Sequence, residues 1–396
     1  MRRFPQVTHL LRKSSGVRSA LALYIHVPFC ASRCGYCDFN TYTASELGDG
    51  VNRATFAASL QQEISLAADQ MAASHVVDTI FIGGGTPTLI GAADLTALVT
   101  TVRGEFDTSK DLEITTEANP DSVDQRMLDA LHQAGFTRVS FGLQSSAPHV
   151  LATLDRSHTP GAGARAVQWA RAAGIRHLNL DIIYGTPGER TVDVDRTLSE
   201  VIEAGVDHVS AYSLIIEPGT AMARKVSAGE IPSPDEDEAA EKYQRIDQRL
   251  EDAGFSWYEV SNWCRPGGEC RHNLHYWRGS DWWGIGPGAH SHVNGHRWWN
   301  LKHPGTYARR IAEGQAPRAG SEAVTSEQRA LEKVMLGLRL AEGLARDDVS
   351  ASGEHIQALV DRGLLASGPM RAAKPRLVLT REGRLLADAV VRDLTP

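Results

Sequence analysis

Six times between residues 21 and 255, a short β-branched run is followed by a longer amphipathic stretch. No other feature of the chain limits its fold so strongly. The runs span 21–27, 79–83, 112–117, 138–144, 177–184 and 208–216, and the stretches lie near 52–73, 92–106, 122–134, 161–173, 191–204 and 235–253. Asp121 and Thr191 read as caps at helix starts, and Gly135, Gly174, Gly205 and Gly254 fall just past helix ends. Parallel strands need crossover helices, so successive β-α units imply a parallel sheet. Six units are too few to close an eight-stranded barrel. The expected fold class is therefore α/β, a partial, open (β/α)6 barrel.

Composition changes after residue 255. Seven of the eight tryptophans fall between Trp257 and Trp299, among clustered His and Gly. This divides the chain into a flexible basic arm (1–20), a core barrel (21–255), a Trp/His-rich β segment over its mouth (256–303) and a C-terminal helical domain (304–396). In the last, helical patterns at 325–344 and 346–363 precede a β-like run at 376–380 and a final helix at 382–394, an order that is similar to a winged helix. The acidic run from Asp235 to Glu238 opens a helix, where negative charge suits the dipole. With 42% hydrophobic and 22% charged residues the chain is neither fibrous nor mainly disordered. No apolar run reaches the roughly 18 residues of a membrane span. A net charge of −7 with no strong basic stripe gives no electrostatic reason to expect nucleic acid as a general partner.

Three of the five cysteines lie within eight residues, as Cys30-x3-Cys34-x2-Cys37. An odd count packed this closely fits reduced thiols in a cytoplasmic protein. The loop follows the first strand, at the C-terminal mouth where such scaffolds place chemistry. Three thiolates can hold three irons of a [4Fe-4S] cube and leave the fourth without a protein ligand. S-adenosylmethionine (SAM) can bind that open iron through its amino and carboxylate groups. A zinc site completed by His26 is the alternative on spacing alone.

With Tyr36 before its last cysteine, the triad resembles the signature of the radical SAM superfamily. Gly83-Gly84-Gly85-Thr86-Pro87 follows the second strand, where glycine lets backbone approach a ligand. Glu117, Gln144 and Asp181 end three successive apolar strands, as residues facing one shared polar ligand would. Over roughly residues 20–390 the resemblance narrows to the coproporphyrinogen III oxidase-like subgroup, through the phrases 138–144, 180–185 and 217–220. It implies SAM contacts at Tyr24, Tyr36, Gly85, Thr86, Glu117, Gln144, Arg156, Asp181 and Ser213. Arg156 would meet the ligand carboxylate, and Glu117 or Asp181 its ribose hydroxyls or ammonium.

That subgroup has two branches. The oxidase, a radical SAM decarboxylase, carries a further cysteine two residues after the third, where this chain has Phe39. The heme chaperone branch carries Phe there and a distal HNxxYW motif. The stretches from His272 to Trp277 and from Gly284 to Ser291 resemble that branch. The resemblance implies a heme carrier rather than an enzyme. It would deliver heme to an acceptor such as a respiratory hemoprotein, with peripheral association to membrane proteins. A histidine can ligate heme iron and aromatic rings can cover a porphyrin face. His272 is the first-choice ligand, with His275 and His290 as rivals, and Tyr276 and Trp277 are the face contacts. Trp257, Trp263, Trp282, Trp283, Trp298 and Trp299 read as packing, and Cys264 and Cys270 as buried thiols.

Overall fold

The computed structural model describes residues 18–47, 53–156, 159–366 and 375–395. The expected arm therefore lies outside the described residues up to residue 17, and Ser19 and Ala20 already belong to the first strand. Strands β1 (Ser19–Val27), β2 (His75–Gly84), β3 (Thr108–Ala118), β4 (Arg138–Gln144), β5 (His177–Tyr184) and β6 (His208–Ser213) pair in chain order, all parallel. The intervening helices Arg53–Met71, Ala92–Glu105, Gln125–Gln133, Ala162–Ala173, Thr191–Ala204 and Glu236–Asp252 pack side by side in one layer. Sequential right-handed crossovers put every helix on the same side of the sheet and curl it.

Alternation along the strands sorts the two faces. Leu21, Leu23, Ile25 and Val27, with Ile80, Ile82, Ile114, Val139, Phe141, Leu178 and Leu180, point into the core shared with the helices. The residues between them (Tyr24, His26, Phe81, Glu113, Glu117, Arg138, Ser140, Asn179, Asp181 and His208) line the opposite, concave face. That face is polar and aromatic, and it is where ligands can sit.

The Trp/His-rich stretch extends this sheet at both edges. β7 (Ser256–Glu259) and β8 (Asn262–Cys264) add antiparallel beyond β6. β9 (Trp282–Ile285) pairs parallel with β1, and β10 (His290–Val293), β11 (His296–Asn300) and β12 (Arg318–Ala323) continue outward. The result is one open sheet of twelve strands. β12 lies past residue 303, outside the expected β segment, and its sequence, RAGSEA, is polar, mostly exposed and without a strand pattern to mark it. Residues Val334 to Leu394 build a separate small core around a two-stranded sheet. Arg381 and Arg384 join it to the main body at Asp247 (Nη2–Oδ2 2.7 Å for Arg384).

Two caps differ from expectation. Asp124, not Asp121, caps its helix, because Asp121 sits in a 3-10 turn and accepts from the Thr159 amide instead. Thr191 is the first residue inside its helix, and the cap position is Arg190. Among the described residues no helix is long and apolar enough to cross a membrane.

Trp263 is 0% exposed, packs on Tyr243 at 5.7 Å and donates its indole N–H to Asp247 at 2.7 Å. Trp263→Ala is expected to lower the unfolding free energy by about 3–5 kcal/mol, measured by chemical denaturation. A loss under about 1 kcal/mol would show that β8 does not anchor this edge.

Candidate functional site

The cysteine loop leaves β1 at the C-terminal mouth of the sheet. It is closed by the Cys30 amide on the Tyr42 carbonyl (3.0 Å) and the Tyr42 amide on the Pro28 carbonyl (2.7 Å). Gly35 pins its middle: its amide donates to the Leu154 carbonyl (3.1 Å), and its own carbonyl accepts from the Met222 amide (2.8 Å). A Cβ there would stand 2.4 Å from Asp155 Oδ2, so a larger residue would have to push that side chain aside. Tyr36 leans on the small apolar cluster of Ala147, Val150, Leu154 and Ile183. Cys30, Cys34 and Cys37 are half-buried and unbridged. Burial, with some repulsion from its neighbours, pushes the Cys30 thiol up to about 11, and burial also raises Cys37. Iron would therefore have to displace bound protons.

The donor set separates cluster from zinc. His26 cannot serve as a fourth ligand, because both its ring nitrogens are taken. Nε2 donates to the Asn40 carbonyl and Nδ1 accepts from the Tyr24 hydroxyl, each at 2.9 Å. Among the described residues no three His, Cys, Asp or Glu side chains already converge as a metal site. Three soft thiols, with no fourth protein donor converging on them among the described residues, suit a cube with one open iron.

The glycine run is packed directly against the entry to this loop. Gly85 donates to the Val27 carbonyl (2.9 Å) and Thr86 to the Phe29 carbonyl (2.7 Å), and a Cβ on Gly85 would be 2.3 Å from Phe29 O. Gly84, at φ +112°, donates its amide to Glu117 Oε2 at 2.9 Å. Glu117 and Asp181 lie on the same concave face, on strands either side of β4. Burial, then repulsion from Asp181, pushes Glu117 up to about 7, and burial raises Asp181 as well. Arg156 reaches Cys34 Sγ at 3.4 Å and the Gly142 carbonyl at 3.1 Å, while its buried Nε has no partner. Gln144 is held at φ +64° where β4 slips its register against β5, an uncommon conformation for a non-glycine residue. The mouth thus gathers two buried carboxylates and an arginine with one unpartnered nitrogen, a set that fits a zwitterionic ligand with hydroxyls. Ser213 is exposed at the end of β6, beside its strand partner Tyr184 at the rim.

The lower lumen holds residues that sequence reasoning missed. Tyr258 donates to His208 Nε2 (2.8 Å), His208 Nδ1 donates to Asn179 Oδ1 (2.7 Å), and Asn179 donates to Asp181 Oδ1 (2.7 Å). Ser140 also donates to Asp181 (2.8 Å), so the carboxylate is held from below by a continuous polar chain. Asn179 and His208 share the lumen face with Asp181 by two-residue spacing across paired strands, and that is the signal that could have found them.

The HNxxYW residues occupy the helix Arg271–Trp277, which fills the floor of the lumen. The backbone amides of Arg271 and His272 donate to Glu113 at 3.1 and 2.9 Å. His272 is 1% exposed, with Nδ1 on Thr79 (2.8 Å) and Nε2 on the Tyr276 hydroxyl (2.9 Å). Burial lowers its imidazole to about 3. Asn273 and Trp277 lie beside the buried Glu259 and help hold its carboxyl down against burial, and His275 Nε2 meets Asp78 at 3.1 Å. As arranged here, neither nitrogen of His272 is open to an iron. His290, by contrast, stands exposed at the mouth end of β10.

The radical SAM superfamily model matches residues 24–201. The heme chaperone HemW of Mycobacterium tuberculosis is 51% identical over 372 residues, covering 94% of each chain. The chain belongs to the HemW family. HemW of Bacillus subtilis is 32% identical over 93% of this chain and 97% of its own. The solved structure of coproporphyrinogen III oxidase HemN from Escherichia coli superposes with a TM-score of 0.80 over 95% of this chain and 90% of its own. At 23% identity that likeness shows the fold alone, the open radical SAM barrel.

A carboxyl raised to about 7 favours the folded state while protonated, below about pH 4.5, and that stability is lost as pH rises through about 7. Ligand-free Glu117→Gln is therefore expected to melt above wild type near pH 8, with the gap closing toward about pH 5. A gap that is constant across this range in thermal melts would show that Glu117 is not the titrating group.

Proposed function

We propose that this protein binds heme and delivers it to an acceptor protein, on a scaffold that also carries a [4Fe-4S] cluster and SAM. The observation that carries this reading is identity of 51% to a heme chaperone along 94% of both chains. Phe39 supports it, standing 61% exposed on the cysteine loop where the oxidase branch of the subgroup has a further cysteine.

In this reading Cys30, Cys34 and Cys37 hold the cluster, which supplies an open iron that can chelate the methionine end of SAM. Arg156 faces the ligand carboxylate, since its Nε lacks any other partner. Glu117 and Asp181 accept from the ammonium or ribose hydroxyls, and a cation between them relieves the repulsion that raises Glu117. Gly85 and Thr86 bring backbone beside the loop, and Tyr24, Tyr36, Gln144 and Ser213 complete the wall. The protein works in the cytoplasm and meets its acceptor, a respiratory hemoprotein, at the membrane surface.

Anaerobically reconstituted protein is expected to take up hemin one to one and to lose it to an added apo-hemoprotein. Given coproporphyrinogen III, SAM and a reductant, it should leave the porphyrinogen unchanged. Formation of protoporphyrinogen with release of carbon dioxide would overturn the carrier reading in favour of the decarboxylase. Cys34→Ala should abolish the iron-sulfur absorbance. Protein purified colourless, with zinc and no iron, would overturn the cluster assignment.

A further inference from the structure

A histidine that takes heme iron needs an open ring nitrogen, beside an apolar surface for the macrocycle and a cation for the propionates. Of the six histidines from His272 to His303, His290 is the one that is exposed and whose ring makes no hydrogen bond among the described residues. His272 is engaged at both nitrogens, His275 is paired with Asp78, His292 is buried against Trp282, and His303 accepts the Gly305 amide. His296 lies at the far end of the β10–β11 hairpin, away from the mouth.

The position of His290 suits a ligand. Pairing runs Tyr24–Gly284–His290–Trp299 across β1, β9, β10 and β11, so His290 is on the concave face, two strands from Tyr24. At ordinary strand spacing that is about 10 Å. Trp299 stacks on the imidazole at 5.9 Å and 26°, which fixes the ring plane while leaving its edge free. The nearby charges are Lys302 and Glu322, and Glu322 is drawn off by Arg297 at 3.6 Å. The cysteine loop reaches the same place: Asn40 donates to the carbonyls of Pro287 (3.0 Å) and Lys302 (2.8 Å), which sets exposed Phe39 beside this end of the sheet.

We infer that the heme iron is taken by His290, on the rim beside the lumen, with Phe39 against the macrocycle and Lys302 toward the propionates. Trp299 is a positioning residue that orients the imidazole. This rests on the heme-carrier reading and deepens it: heme occupies a site of its own beside the SAM residues, and the HNxxYW helix supports the floor beneath them.

The test is a hemin titration of cluster-loaded protein, read by the Soret band, on wild type, His290→Ala and Phe39→Asp. His290→Ala is expected to bind hemin about tenfold or more weakly with a shifted band, and added imidazole should restore the wild-type spectrum. Metal-free protoporphyrin, followed by fluorescence, should bind His290→Ala as it binds wild type and bind Phe39→Asp less well. Iron-sulfur absorbance and circular dichroism matching wild type show that each variant is folded. If wild type takes up hemin and His290→Ala matches it in affinity and spectrum, the assignment of His290 is overturned while the carrier reading stands. If wild type takes up no hemin, the carrier reading itself fails.

Discussion

The carboxylate of Glu113 organises the concave side of the sheet. It accepts the first two amides of the helix Arg271–Trp277 while Arg138 stands 3.7 Å away. An open parallel sheet leaves one face without a helical layer, and here that face is lined with buried polar groups. Hydrogen bonds to a charged group contribute roughly 1.5–3 kcal/mol each, and stranding a buried carboxylate costs more. Docking one short helix onto Glu113 satisfies the carboxylate and brings His272 and Tyr276 up against Thr79 and Phe81. The lumen thereby gains a floor, and only its upper end stays open to ligands.

Polarity then changes with height. At the bottom the Arg138 guanidinium stands 3.7 Å from Glu113, and in the middle Tyr258, His208 and Asn179 pass hydrogen bonds upward. At the top like charges gather: burial raises both Glu117 and Asp181, and Asp181 repels Glu117. Folding alone gives no reason to gather like charges there. A ligand with an ammonium, a carboxylate and hydroxyls gives one. The same logic divides the histidines, since His26, His208 and His272 are bonded on both sides as braces and His290 is not.

Much of this was legible in the sequence. The β-α alternation placed β4 and β5 to the residue and set the six crossover helices within a few residues, because each strand is apolar toward the helices and four of those helices end near a glycine. The cysteine triad, the glycine run and the strand-end polar residues do meet at one mouth. The edge strands β9 to β12 were less legible, since pairing partners far apart in sequence make strands of segments with little alternation of their own. The HNxxYW motif was legible as a motif but not as a floor. His272 looks like a ligand until Thr79, Phe81 and Glu113, about 160–190 residues upstream, are folded around it.

The central claim is that SAM and heme are held side by side, by different residues of one concave face. It is tested most directly by adding hemin to protein already loaded with cluster and labelled SAM, and measuring both ligands after equilibrium dialysis. Retention of one SAM alongside one hemin per chain is the result this account predicts. Release of SAM in proportion to hemin bound would contradict it, because heme would then occupy the lumen mouth itself.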